Sequence, residues 1–146
     1  MTRDELSPIA WTEQLAHTPI FAGLSKRQVR AIARLGEMRR YQPRHPVVQA
    51  GRPGDAFFLV LEGSVFVRRP GRPPVRIPAG GFFGELSLFD GAPRTATVEV
   101  ADEDEVLVMK LPRSAFLRAL HREPRIAVSM LEVVTTRLRE LDPTAI

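Results

Sequence analysis

Short segments rich in β-favouring residues, separated by Gly and Pro turns, occupy the middle of this 146-residue chain. From Met38 onward seven such segments follow one another, at about 38–42, 46–50, 56–61, 64–69, 74–77, 95–100 and 104–110. Many short strands joined by tight turns are typical of a sandwich or a rolled barrel, and not of a parallel sheet with crossover helices. The pattern therefore predicts a mainly β fold.

Helical patterns flank the predicted strands on both sides. Before them, a short amphipathic segment ends ahead of Pro19, and Ser25 is a predicted N-cap for a helix that ends near Gly36. After them, one helix is predicted over 113–121, and Pro124 begins a second one that runs to about residue 141. We therefore expect α-helices packed against both ends of the β-structure.

The last predicted helix carries two apolar stripes. One stripe can pack on the barrel, and we expect it to consist of Ile126, Met130 and Val133. The other has the alternating four-and-three spacing of a coiled-coil seam. It consists of Ala127, Leu131, Val134, Leu138 and Leu141. Internal packing, a dimer seam and a lid over a ligand remain open for this second stripe.

Composition narrows the possible functions. The chain has no Cys, which excludes disulfides, iron–sulfur ligation and thiol catalysis, and its three histidines lack metal-ligand spacing. No signal peptide and no membrane-spanning run is visible, so we expect a cytoplasmic protein with no membrane partner. The net charge is +4, and the densest basic patch lies at 68–76. This patch is either a solvated hairpin loop or a surface for nucleic acid or an acidic partner.

One carboxylate and one guanidinium stand out in the run from Phe83 to Thr97. Glu85 and Arg94 are nine residues apart, with apolar and small residues, a Gly and a Pro between them. An arginine can grip two phosphate oxygens, and a carboxylate accepts hydrogen bonds from sugar hydroxyls. The spacing therefore suits a phosphorylated nucleoside, and it suits a surface salt bridge equally well.

The residues around this pair resemble the phosphate-binding cassette of cyclic nucleotide-binding domains. The family pattern is Phe-Gly-Glu-Leu/Ile-Ala-Leu, a short insert, then Pro-Arg-x-Ala-Thr, and residues 83–88 and 93–97 match it at the usual separation. Ser87 replaces the usual Ala, and Gly81 stands where an Asp is common. The segments 20–25 and 51–65 also resemble the helical entry and the central hairpin of the family.

The resemblance implies a role for each cassette residue. Glu85 is expected to accept a hydrogen bond from the ribose 2′-hydroxyl, and Arg94 to pair with the cyclic phosphate, helped by backbone N–H groups at Ser87 and near Ala96. A hydroxyl at Thr95 can reach the base and is a hint of cyclic GMP binding. The implied ligand-binding residues are Phe83, Gly84, Glu85, Leu86, Ser87, Arg94, Thr95 and Ala96. The candidates for the base-capping residue are Met130, Leu131, Val134 and Arg137.

The resemblance also implies a fold and a function. We expect one domain over 1–146: N-terminal helices (1–36), a double-stranded β-helix of the jelly-roll-like β-roll type (37–111, with the cassette at 83–97), and C-terminal hinge and lid helices (112–146). Such a domain is a non-enzymatic sensor of cyclic AMP or cyclic GMP that needs no cofactor or metal. Binding is relayed through the C-terminal helices to a second copy or an effector protein.

Two alternatives remain open: the ligand-binding part of a transcription regulator, and a β-roll interaction module that binds no nucleotide. DNA binding by this chain alone is not expected, because the sequence contains no helix-turn-helix after the last helix.

Overall fold

The computed structural model describes residues 7–101, 105–142 and 144, and two four-stranded antiparallel sheets form its centre. The strands in these residues are β1 (Glu37–Tyr41), β2 (Pro46–Val48), β3 (Ala56–Glu62), β4 (Ser64–Arg68), β5 (Val75–Pro78), β6 (Phe82–Phe83), β7 (Thr97–Val100) and β8 (Val106–Pro112). The helices are α1 (Thr12–Ala16), α2 (Lys26–Ala33), α3 (Glu85–Asp90), α4 (Arg113–Arg122) and α5 (Pro124–Leu141), with short 3₁₀ helices at Pro8–Trp11 and Pro19–Phe21.

The two sheets are rolled around each other. One has the strand order β1-β8-β3-β6 and the other β2-β7-β4-β5, and every neighbouring pair is antiparallel. The chain crosses from one sheet to the other several times, for example between β3 and β4. This is the connectivity of a jelly-roll-like β-roll, so the predicted mainly β fold with flanking helices is confirmed.

The sequence pattern did not predict β6, a strand of only two residues. It follows Gly80 and Gly81 and pairs with β3 through Phe58↔Phe83 and Leu59↔Phe82. Two residues are too few to show a period, so only the pairing partner reveals the strand. The segment predicted at 104–110 begins at a residue outside the described ones, and its strand is β8.

The strand β8 is buried on both faces and divides the core into two clusters. Val106 and Val108 point into the roll, whereas Leu107 and Met109 belong to the cluster covered by helices. The period of two along a strand sends successive side chains to opposite faces, and apolar residues at all four positions therefore require two apolar environments. This is the reason that one face of the roll carries the helices.

The sequence predicts core positions for five phenylalanines, Phe57, Phe58, Phe66, Phe82 and Phe116, and one of them lies outside the core. Phe57, Phe58, Phe82 and Phe116 are buried, but Phe66 is only half-buried. The guanidinium carbon of Arg76 lies 4.8 Å from the centroid of the Phe66 ring. The prediction was wrong for Phe66 because position 66 falls on the outer face of β4, where cationic side chains cover an aromatic ring favourably.

The N-terminal helices connect directly to the C-terminal ones. The predicted N-cap Ser25 forms a capping box with Gln28: its hydroxyl accepts from the Gln28 N–H at 3.1 Å, and its own N–H donates to the Gln28 side chain at 2.8 Å. The Gln28 side chain also donates to Glu123, between α4 and α5, at 3.0 Å. The start of α2 is thus hydrogen-bonded to the junction of the closing helices.

The helix α5 packs by one stripe and exposes the three leucines of the other, and its bounds are those predicted. Ile126 and Met130 are buried, and Val133 packs against the same cluster. Leu131, Leu138 and Leu141 remain exposed. No helix within the described residues is both long and apolar enough to cross a bilayer.

Candidate functional site

A cleft of about 190 Å³ lies between the β4–β5 hairpin, the segment after β6 and the end of α5. The predicted ligand-binding residues gather at this cleft. Those that line it are Phe83, Gly84, Glu85, Ser87, Arg94, Thr95 and Ala96. The side chain of Leu86 lies outside the described part of the structure. The hairpin, the segment 83–96 and the last helix, which are far apart in the sequence, therefore form one concave site.

Gly84 gives the backbone its turn into the site. Its φ is 93°, in the left-handed region, and it is the N-cap of α3. A Cβ at this position would lie 2.8 Å from the carbonyl oxygen of Ala56 and 2.9 Å from Nη1 of Arg94. Both the conformation and the space therefore require glycine here.

Arg94 is buried beneath the cleft and holds the site together. Its side chain is among the buried charged groups, with a relative exposure of 7%. Nη1 donates to the carbonyl oxygen of Gly84 at 2.7 Å, and Nη2 donates to the carbonyl oxygen of Ala56 at 2.6 Å. A guanidinium has five N–H donors. Two of them bind the backbone, which leaves three to bind a ligand.

Opposing effects act on the charge of Arg94. Burial lowers the pKa of its guanidinium, while the negative charges of Asp55 and Glu85 raise it again. An arginine remains protonated at neutral pH even when its pKa is lowered. The cleft therefore has a fixed positive charge at its base.

Glu85 is also buried, and its partner is not Arg94. Its Oε1 accepts a hydrogen bond from Nη1 of Arg137, on α5, at 3.1 Å. Nη2 of Arg137 donates to the carbonyl oxygen of Phe82 at 2.8 Å, and the guanidinium lies over the Phe82 ring at 4.6 Å. The alternative of a surface salt bridge between Glu85 and Arg94 is thus wrong, because both are buried and Glu85 pairs with the last helix.

The base-capping candidates occupy different environments. Met130 is buried in the core, and Leu131 is exposed, away from the cleft. Val134 also lies away from the cleft, whereas Arg137 lines it.

The cleft residues that sequence reasoning did not assign to the site include Arg69, Glu140 and Leu141, together with the apolar residues Val48, Val67, Val75, Ile77 and Val98. The alternation of Val65 and Val67 continues to Arg69, and Glu140 and Leu141 follow Arg137 by one helical turn. The strand alternation and the helical spacing are both visible in the sequence. They do not show that this face of the hairpin and this face of α5 line the same cleft, because that depends on the tertiary structure.

A metal site is not formed by the described residues, since they contain no cluster of three His, Asp or Glu side chains that could hold an ion. The chemistry of the cleft is instead that of hydrogen-bond donors facing a carboxylate, with apolar walls from β4, β5 and β7.

Comparison with known proteins identifies the family. The model of the cyclic nucleotide-binding domain matches residues 38–123. The chain is 35% identical over 132 residues to a cAMP-dependent protein kinase regulatory subunit of Pyricularia oryzae, covering 88% of this chain and 33% of the relative. It is 30% identical over 132 residues to a CRP-like cAMP-activated global transcriptional regulator of Mycobacterium tuberculosis, covering 87% and 58%.

Solved structures show the same fold. The catabolite activator protein of Thermus thermophilus superposes with a TM-score of 0.75 at 30% identity, covering 86% of this chain and 60% of that one. A cyclic nucleotide-binding domain from Methylobacillus flagellatus gives a TM-score of 0.80 at 23% identity, covering 92% and 82%. The chain spans between a third and three fifths of the two curated relatives described above. From its cassette, its β-roll and these matches, this chain belongs to the cyclic nucleotide-binding domain family.

Proposed function

We propose that this chain is a non-enzymatic sensor domain that binds a 3′,5′-cyclic nucleotide, cyclic AMP or cyclic GMP, in the cleft above Arg94. The observation that carries the proposal is that one cleft holds two buried side chains of opposite charge, Arg94 and Glu85, each with unused hydrogen-bonding capacity. Arg94 has three N–H donors left after its two backbone bonds. Glu85 has one carboxylate oxygen without a partner among the described residues.

Each end of the ligand has a proposed partner. The cyclic phosphate, a singly charged anion, binds Arg94 and the backbone N–H groups at Ser87 and Ala96. The ribose 2′-hydroxyl donates to the second oxygen of Glu85, while Arg137 keeps the first. Gly84, Phe83 and the backbone around Leu86 shape the ribose end. Charge-assisted hydrogen bonds are about twice as strong as neutral ones, so Arg94 and Glu85 dominate the affinity.

The relay through the C-terminal helices is proposed to start at Glu85. Arg137 connects this carboxylate to α5 across 52 residues of sequence. A ribose hydroxyl on Glu85 changes the charge distribution that holds Arg137, and the ligand itself contacts the end of α5. Ligand binding shifts the equilibrium between two arrangements of α5 only as far as the affinities of the ligand for these two arrangements differ.

The proposed partner of α5 is a second copy of this chain. The exposed stripe that includes Leu131 and Leu138 has the four-and-three spacing by which helices pair with copies of themselves. Sedimentation with and without cyclic nucleotide tests this. A dimer whose population changes with ligand supports the relay to a second copy. A monomer under both conditions contradicts it and favours an effector protein. One curated relative is a kinase regulatory subunit and another is a transcriptional regulator, so the two point to different regulated processes.

Calorimetric titration and thermal unfolding with cyclic AMP, cyclic GMP and linear AMP test the sensor function. A ligand at about 100 times its dissociation constant adds about 2.7 kcal/mol to the free energy of unfolding. For a chain of this size that raises Tm by about 5–10 °C. Linear AMP is expected to bind more weakly, because its doubly charged open phosphate has a different shape. No response to either cyclic nucleotide at millimolar concentration refutes the proposal and favours the ligand-free interaction module.

The Glu85→Gln variant separates the ribose contact from the fold. Gln keeps the shape of the side chain but removes the charge that accepts from the hydroxyl and pairs with Arg137. We expect about tenfold weaker cyclic nucleotide binding, and no such loss in the matched variant Glu132→Gln, which lies exposed on α5.

A further inference from the structure

Arg69 extends one wall of the cleft beyond the ribose end. In the β4–β5 hairpin Val67 lies opposite Val75, and Val65 lies opposite Ile77. These side chains share the face that lines the cleft, and Arg69, two residues after Val67, lines it as well. Its side chain is half-buried although it follows the end of the strand.

Glu140, an exposed residue of α5, lines the same cleft from the last helix. It lies three residues after Arg137, so the two side chains share one face of α5 and are separated by about one turn. Arg137 contacts Glu85, the proposed partner of the ribose. The next turn of α5 therefore reaches further along the ligand, to the place where the base projects. Leu141 on this turn is 52% exposed, and Val75 on the facing hairpin is 58% exposed. The two leave apolar surface at the mouth of the cleft.

Both charges are without an ion pair in the described part of the chain. The other arginines of the hairpin bind on its outer face: Arg68 pairs with Glu99, and Arg76 donates to the Ser64 hydroxyl at 2.7 Å. Arg69 and Glu140 form no hydrogen bond or salt bridge through their side chains, with each other or with any described residue. The cleft thus carries one unused cation and one unused anion at its base end.

This arrangement of charges matches guanine and opposes adenine. Guanine presents two acceptors, O6 and N7, on one edge, where an arginine binds with two hydrogen bonds. On its neighbouring edge it presents the N1–H and N2–H donors, which a carboxylate accepts. Adenine has an N6 amino donor beside N7, facing the arginine, and an N1 acceptor that faces the carboxylate. Each adenine edge therefore places like polarity against one of the two side chains.

We propose that Arg69 and Glu140 read the base, and that the chain binds cyclic GMP in preference to cyclic AMP. This rests on the proposed function of the cleft and adds the identity of the nucleotide. Arg69 donates to O6 and N7, Glu140 accepts from N1–H and N2–H, and the base lies between Val75 and Leu141. The preference holds although the two kinds of curated relatives described above carry cAMP in their names.

Calorimetry with the full chain compares cyclic GMP and cyclic AMP. One bidentate contact of this kind discriminates bases by about fivefold to 150-fold, so we expect at least a tenfold preference for cyclic GMP. Arg69→Gln and Glu140→Gln each lower the affinity for cyclic GMP about tenfold. Neither lowers the affinity for cyclic AMP, because an amide offers both a donor and an acceptor to adenine.

Two analogues assign the contacts atom by atom. Cyclic 7-deaza-GMP lacks the N7 acceptor, and cyclic IMP lacks the N2 amino group. Each binds the unaltered chain more weakly than cyclic GMP does. The Arg69→Gln variant binds the 7-deaza analogue as tightly as it binds cyclic GMP, because the contact to N7 is already lost. The Glu140→Gln variant likewise binds cyclic IMP as tightly as cyclic GMP. A residue that only supports the structure would weaken all of these ligands together.

Matched variants lie on the same two elements outside the cleft. Arg72→Gln in the hairpin loop and Glu132→Gln on α5 are both exposed, and neither changes the ratio of the two affinities. Equal binding of the two nucleotides, or tighter binding of cyclic AMP, overturns the preference but leaves the sensor function standing. A cyclic GMP preference that survives both cleft substitutions overturns the assignment to Arg69 and Glu140. If neither nucleotide binds, the sensor function itself fails and the proposal with it.

Discussion

Replacing Arg94 by Lys keeps the positive charge and removes the two terminal guanidinium nitrogens that can bind two oxygens at once. The guanidinium spans two carbonyl oxygens from different segments, Gly84 at 2.7 Å and Ala56 at 2.6 Å, with one nitrogen on each. An ammonium group has three donors on a single nitrogen and a shorter reach. We therefore expect Lys at this position to retain one carbonyl and to leave the other without its charged partner.

The magnitude follows from the lost hydrogen bond. A hydrogen bond to a charged group contributes about 1.5–3 kcal/mol, and a buried acceptor left unpaired falls within the same range. With an m-value of about 2 kcal/mol per molar urea, a loss of about 2 kcal/mol moves the unfolding midpoint down by about 1 M. Cyclic nucleotide affinity falls about 10-fold to 100-fold in addition, because the free donors can no longer bind two phosphate oxygens in a fork.

Urea unfolding of the ligand-free protein measures the first effect, and calorimetric titration of the folded variant measures the second. Arg118→Lys is the matched control: it makes the same exchange at an exposed position on α4 and should change neither quantity. If Arg94→Lys unfolds at the same urea concentration as the unaltered chain, the two backbone bonds do not stabilise the site. If it also binds cyclic nucleotide normally, the fork is not the phosphate site.

Three further predictions concern the same region and the roll beside it. Gly84→Ala lowers the free energy of unfolding by about 3 kcal/mol, since it combines a left-handed conformation with a Cβ 2.8 Å from the Ala56 carbonyl oxygen. Arg137→Met lowers the free energy of unfolding by about 1–2 kcal/mol and speeds amide hydrogen exchange in the last turn of α5, because Glu85 loses its partner. Burial raises the pKa of Tyr41, the only tyrosine in the chain, so its absorbance titrates above the usual value of about 10. The phenol ionises more readily in the unfolded chain than in the folded one. The free energy of unfolding is therefore unaffected by this group below pH about 10, and it falls as the pH rises from there through the raised pKa of the folded state.

Each of these predictions has a control. Gly91→Ala has a positive φ but open space around its Cβ, so it is expected to lower the free energy of unfolding by only about 1 kcal/mol. Equal losses for the two glycines contradict the steric argument. Arg139→Met, exposed on the same helix, leaves exchange at the end of α5 unchanged. Tyr41→Phe removes the alkaline decline in stability, and a decline that persists assigns it to another group.

The strand and helix pattern was largely readable from the sequence because it depends on neighbours in the chain. Turn residues separated most strands, and Ser25 ended up as the N-cap it was expected to be. The predicted strand at 104–110 has apolar residues on both faces, which predicts a helical cover on one of them, and the core clusters around β8 confirm that cover. The two-residue strand β6 and the outward position of Phe66 were not readable, since the first has no period and the second depends on which face meets the core.

The sequence by itself determined the chemistry of the site: a glycine turn, an acid and an arginine in the order of a nucleotide cassette. That order is local, so it survives in the linear chain and can be compared residue by residue. Only the tertiary structure decided the partners. In the folded chain Arg94 donates to two backbone carbonyls, and Arg137 of the distant helix α5 donates to Glu85. Arg69 and Glu140 line the same cleft. Such contacts depend on how α5 packs across the roll, which is a property of the whole core and not of any one segment.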